Sequence, residues 1–95
     1  MEIGDFQSAM RSTYLDRDAQ RGRDATFRWL VEEVGELARA MRREDRENLV
    51  NEFGDVLAWL SSLANLEGVE LDDAVARYRD GCPKCHGRPC RCAPR

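Results

Sequence analysis

The sequence predicts an all-α fold, and three observations carry that prediction. Apolar residues recur at three- and four-residue spacing over long stretches, the period of a helix face. No stretch of five or more residues alternates apolar with polar, so the strand pattern is missing. Acids suited to starting a helix (Asp24, Asp45, Asp72) and glycines suited to stopping one (Gly68, Gly81) bracket the periodic stretches. A chain of 95 residues makes one small domain, and a domain of this size buries only about 60 to 65% of its unfolded surface. The expected architecture is an antiparallel helical hairpin of four-helix-bundle type, completed by oligomerisation. Residues 1–81 form that helical domain, and residues 82–95 a small Cys-rich knuckle.

A first helix is expected from about Asp5 to Asp16, with Phe6 and Met10 inward, joined by Ala9, Tyr14 and Leu15. The Arg-rich stretch from Asp16 to Arg23, with Gly22, reads as a mobile connection. Asp24 can cap a second helix running to Arg43, since a short carboxylate there accepts an otherwise unpaired backbone N–H. Asp45 can cap a third, which runs to Leu66 and stops at Gly68. A shorter fourth helix opens at Glu70 or Asp72 and ends near Asp80-Gly81, where glycine allows the left-handed conformation.

Two carboxylate clusters carry the chemistry. They are Glu32-Glu33-x-x-Glu36 on the second helix and Glu52-x-x-Asp55 on the third, with 15 residues between Glu36 and Glu52. On a helical wheel Phe27, Leu30, Val31, Val34, Leu37, Ala38 and Met41 form one apolar stripe, expected to be core. Trp29, Glu33, Glu36 and Ala40 form a separate column, with Glu32 one step round. The third helix repeats the design: Leu49, Phe53, Val56, Leu57, Leu60 and Ala64 as core, beside a column of Asn48, Glu52, Asp55 and Trp59. Gly35 and Gly54, next to the acids, could admit a neighbouring helix or a ligand. Carboxylates gathered beside a core repel one another and lose hydration unless a cation or proton neutralises them. Single acids on helices are usually solvated surface. Two such clusters on consecutive helices joined by a short loop point instead to a cage for Mg²⁺ or Mn²⁺. The two Trp residues are candidates for base stacking, although an indole at helical spacing most often packs in a core.

Net charge is −3, unevenly spread. The tail holds Lys84, Arg88, Arg91 and Arg95 and no acid, leaving 11 basic against 18 acidic residues and a balance of −7 over the first 81. Such a body repels a phosphate backbone, which argues against general nucleic-acid binding without bridging cations. There is no run of 18 apolar residues and no basic-then-apolar leader, so a cytoplasmic protein without a membrane span is expected. A ferritin-like oxidase would need E-x-x-H pairs, whereas the sole histidine, His86, lies outside the helices.

The stretches Leu30-Val-Glu-Glu-Val-Gly-Glu-Leu-Ala38, Asn51-Glu-Phe-Gly-Asp-Val-Leu57 and Leu63-Ala-Asn-Leu-Glu-Gly-Val-Glu-Leu71 resemble the MazG-type nucleotide pyrophosphohydrolases of the all-α NTP pyrophosphatase superfamily. The resemblance covers about residues 3 to 80. It implies a homodimer or homotetramer that cleaves a nucleoside triphosphate, NTP or dNTP, to monophosphate and pyrophosphate, in the family's role of clearing non-standard nucleotides. It also implies Mg²⁺ held by Glu33, Glu36, Glu52 and Asp55, with Glu32 or Glu36 accepting the proton of the attacking water. Trp29 and Trp59 become candidates for a base pocket, Arg77 and Arg79 for phosphate contacts, and Gln7 and Asn65 further polar candidates. Relatives acting on phosphoribosyl-ATP, dUTP or dCTP share the acid frame and stay open as alternatives. So does a non-catalytic helical scaffold whose tail binds nucleic acid or a partner protein.

All four cysteines fall within the tail as Cys82-x-x-Cys85 and Cys90-x-Cys92. A tetrahedral Cys₄ zinc site is the expected reading, since the first pair has the common spacing and Gly and Pro permit tight turns. Disulfides, an iron–sulfur cluster, or His86 replacing one cysteine are the other readings. A site with four Cys ligands has no open position and would act as a staple on the end of the fourth helix. It could instead bring Arg88 or Arg91 over the phosphates, or dock a partner.

Overall fold

A computed structural model describes Met1–Arg95, and the chain is all helix and turn. Four helices follow in order: α1 (Ile3–Arg21), α2 (Arg23–Arg43), α3 (Arg46–Glu67) and the short α4 (Leu71–Ala76). The α2–α3 hairpin is antiparallel, and Arg23 at the start of α2 pairs with Glu67 at the end of α3 at 2.7 Å. Asp45 caps α3 as expected, its side chain accepting the Asn48 N–H at 3.2 Å, and Gly68 ends that helix in the left-handed conformation. None of the helices is long and apolar enough to cross a membrane.

Several expectations need correction. The stretch from Asp16 to Arg21 is not a mobile connection but the last turns of α1. Nothing between Gly4 and Gly22 breaks a helix, and the inward positions here are polar, so apolar period could not mark them. The break is confined to Gly22, whose φ of 86° disfavours any residue with a Cβ, and Gly22 rather than Asp24 precedes α2. The fourth helix ends at Ala76, and turns carry the chain on to Asp80.

A further correction concerns the core. Of the apolar stripe on α2, Phe27 is 54% exposed, Val31 54% and Met41 61%; on α3, Phe53 is 53% exposed. Within one chain α2 and α3 instead meet along the acid-and-Trp column: Trp29 stacks on Trp59 with centroids 5.8 Å apart, and Ala40 is wholly buried. A helical wheel separates faces by character but does not say which face meets the next helix. Gly35 and Gly54 open onto empty space, so in one chain they admit no neighbour.

α1 is fixed across this hairpin by a polar clasp. The buried Gln7 donates to the Val69 carbonyl at 2.7 Å and to Asn65 Oδ1 at 3.0 Å, and its Oε1 accepts the Leu71 N–H at 2.7 Å. Arg11 adds a bond to Asn65 Oδ1 at 2.9 Å and an ion pair with Glu70 at 3.3 Å. With these bonds made, Gln7 and Asn65 join α1 to the α3–α4 turn.

Candidate functional site

The hairpin brings together carboxylates from both clusters. Glu33 on α2 and Glu52 and Asp55 on α3 place ligand oxygens within 4.8 Å of one another. Helical spacing explains the arrangement, since Glu52 and Asp55 are one turn apart and Glu33 faces them from the antiparallel neighbour. Burial holds the Glu33 carboxyl above its ordinary 4.5, and the charges of Asp55, Glu52 and Glu36 push it further the same way. Glu52 Oε2 is buried with no hydrogen-bond partner. An orphaned acceptor beside two further carboxylates is what a bound cation would satisfy, so these residues can hold a divalent metal. Glu36 stands outside the triplet, bonded to Arg39 at 3.2 Å, yet near enough to repel Glu33. Glu32 is exposed on α2 and does not join the cluster.

A cleft of about 340 Å³ adjoins the acids, lined by Tyr14, Arg17, Asp18, Arg21, Asp55 and Trp59, together with Ala58 and Ser62. Asp55 thus belongs to the carboxylate triplet and to the cleft wall. The Arg21 guanidinium lies over the Trp59 ring, 4.7 Å from its centroid, and donates to Asp18 Oδ1 at 2.9 Å and to Thr26 Oγ1 at 3.2 Å. Asp18 is 1% exposed, and its Oδ2 has no partner. Asp18, Arg17 and Arg21 were not singled out by sequence reasoning as site residues. The available clue was the density of arginine and aspartate before Gly22, which reads equally well as a solvated linker.

The remaining candidates lie elsewhere. Arg77 and Arg79 follow α4; the Arg77 guanidinium sits over Tyr78 at 5.4 Å, and the Arg79 carbonyl accepts a bond from the Arg88 guanidinium. Neither lines the cleft. The four cysteines form a second cluster with ligand atoms within 4.8 Å of one another, all of them free, and can also hold a metal. Backbone N–H groups of Arg91 and Gly87 aimed at Cys85 lower its thiol to about 6. Hydrogen bonding with Cys90, Cys82 and Cys85 pushes Cys92 up to about 12.

The chain is similar in sequence to known proteins. The chain is 29% identical over 101 aligned residues to the uncharacterized protein YvdC of Bacillus subtilis (strain 168), a match covering 88% of this chain and 95% of that protein. Residues 21–89 match the MazG nucleotide pyrophosphohydrolase domain, a span that begins at the last residue of α1 and takes in α2, α3, α4 and the first cysteine pair. With the acids gathered between α2 and α3 and most of the chain inside that match, the protein belongs to the MazG nucleotide pyrophosphohydrolase family.

Proposed function

We propose that the protein hydrolyses nucleoside triphosphates, NTP or dNTP, to nucleoside monophosphate and pyrophosphate in a Mg²⁺-dependent reaction. The observation that carries this reading is the shared position of Asp55, which joins the carboxylate triplet to a cleft bearing Arg17 and Arg21. A triphosphate lying there would have the carboxylates that can hold a cation at one end and guanidinium groups at the other. Glu33, Glu52 and Asp55 would hold the Mg²⁺, and Glu36 would join them once its bond to Arg39 is exchanged. The metal, when bound, offsets charge on the phosphates and orients water. The chain's own residues do the rest. Arg17 and Arg21 fix the phosphates, Trp59 and its partner Trp29 border the base, and Glu36, whose charge acts on Glu33, takes the proton from the attacking water. Water adds at the α-phosphorus and the bond to the β-phosphate oxygen breaks, releasing pyrophosphate.

The working unit in this reading is a homodimer or larger assembly. A folded chain of 10.9 kDa is expected to expose about 5,600 Å², yet this one exposes 7396 Å². Its radius of gyration is 15.5 Å, against about 12.4 Å for a compact domain of this length. Part of that exposed surface is apolar, where Phe27, Val31, Val34 and Met41 on α2 and Phe53 and Leu57 on α3 stand uncovered, and a second copy of the same face is the simplest cover. A reducing cytoplasm suits the free cysteines.

The test is release of pyrophosphate and monophosphate from a panel of ordinary and modified NTPs and dNTPs, with Mg²⁺, with EDTA, and with Glu52→Gln. Magnesium-dependent turnover absent from the variant is the expected result. No turnover of any triphosphate by the folded oligomer would overturn the reading.

A further inference from the structure

The tail from Cys82 to Arg95 contains no aliphatic residue larger than Ala and Pro, so apolar burial cannot order it. It is nevertheless shaped closely around sulfur. The Cys82 and Cys92 sulfurs are 3.8 Å apart, as are those of Cys85 and Cys90. A disulfide would need about 2.05 Å. A tetrahedron with metal–sulfur bonds of about 2.3 Å has an edge of about 3.8 Å, which is the separation seen across both pairs. Each pair takes one cysteine from C-x-x-C and one from C-x-C, so the two turns interlock rather than close separately.

Backbone geometry points the same way. Cys85 Sγ accepts the Gly87 N–H at 3.4 Å and the Arg91 N–H at 3.2 Å, and Cys90 Sγ accepts the Cys92 N–H at 3.3 Å. Donors of this kind stabilise thiolates and fix their directions before a metal arrives. The first turn is closed by the His86 N–H on the Cys82 carbonyl at 2.7 Å and the Cys82 N–H on the Gly87 carbonyl at 3.1 Å, with His86 held at a φ of 60°. Gly87 is buried, and a Cβ there would lie 2.6 Å from the Pro89 carbonyl oxygen and 3.3 Å from Cys85 Sγ. Only glycine lets the backbone approach that sulfur.

We propose that Cys82, Cys85, Cys90 and Cys92 bind a single Zn²⁺ as a closed tetrahedral thiolate site, which orders the tail and fixes it to the end of the helical body. Four sulfur ligands leave no position for water, so the site is structural and takes no part in hydrolysis. Four thiolates and Zn²⁺ together carry −2, and Lys84, Arg88, Arg91 and Arg95 supply the surrounding positive charge. The Arg88 bond to the Arg79 carbonyl ties the knuckle to the turn after α4. This inference stands apart from the catalytic reading, and either can fail alone.

The experiment uses the full chain purified under reducing conditions. Metal analysis should give one zinc per chain, falling to none in Cys85→Ser and Cys90→Ser, while circular dichroism shows their helix content unchanged. Cobalt titrated into metal-free protein should give the intense thiolate charge-transfer band and tetrahedral ligand-field bands, displaced by zinc. Removing zinc should also speed tryptic cleavage after Lys84 and Arg91. Metal-free protein that refuses cobalt, an octahedral cobalt spectrum, stoichiometric iron, or a cysteine pair found as a disulfide under these conditions would each overturn the proposal.

Discussion

The carboxylate triplet and the cysteine quartet pose the same electrostatic problem and solve it in opposite ways. Glu33, Glu52 and Asp55 sit on long helices, so their separation is set by packing between α2 and α3, and an orphaned oxygen remains at Glu52. The cysteines sit on turns, where three backbone N–H groups already point at sulfur. One cluster is costly when empty and has room for further ligands; the other already has the four sulfurs of a complete tetrahedral set. Openness and oxygen donors suit an exchangeable ion that shares its shell with phosphate. Closure and sulfur donors suit a permanent one.

The largest effect expected from breaking this contrast is loss of turnover on the open side. Glu52→Gln and Glu33→Gln should each lower kcat by on the order of 10³-fold, measured as pyrophosphate release at saturating triphosphate and Mg²⁺. Retention of a tenth of the activity or more would place the metal elsewhere. Next in size is the uncovered apolar face. Phe53→Lys, at a position 53% exposed in one chain, should dissociate the assembly in sedimentation or light scattering and lower the melting temperature with it. An unchanged mass would move the interface to another surface.

Smaller effects sharpen the division of labour. Arg21→Ala removes the cation over Trp59 and a guanidinium from the cleft. It should raise KM by about tenfold and change kcat less, which steady-state kinetics can separate. For Glu33 the sign follows from its raised carboxyl. Just above pH 4.5 the folded chain holds a proton that the unfolded chain has released, so stability without metal falls as pH rises through that window. Thermal melts in EDTA should show this decline, Mg²⁺ should reverse it at neutral pH, and Glu33→Gln should flatten it. A melting temperature that rises across the same window in the metal-free wild type would contradict the assigned burial.

How much of this was legible beforehand depended on whether a local rule or a packing choice was in control. The Asp45 cap, the stop at Gly68 and the gathering of four cysteines in the tail follow from short-range geometry and are written plainly in the sequence. The placement of Glu33 against Glu52 and Asp55 was legible too, because two helices joined by a short loop have few ways to pair. The second half of α1 was not, since its buried residue is Asp18 and its cleft residues are arginines, which mimic a solvated linker. Nor was the role of the apolar stripe, because hydrophobicity requires a cover without naming it as another part of the same chain or a second copy.

The smallest expected effect discriminates best between the two clusters. If the knuckle only orders the tail, Cys90→Ser should lose zinc and leave kcat and KM for triphosphates within about twofold of the wild type, since surface changes away from a site seldom exceed ±0.5 kcal/mol. A knuckle that brought Arg88 or Arg91 over the phosphates would behave otherwise: KM would rise in Cys90→Ser, and Arg88→Ala and Arg91→Ala would reproduce the rise with zinc still bound. Arg88 in this structure points its guanidinium at the Arg79 carbonyl, and neither Arg88 nor Arg91 lines the cleft that holds Arg17, Arg21 and Asp55. The arginines that line the cleft come from α1, so hydrolysis and zinc binding should be separable by mutation.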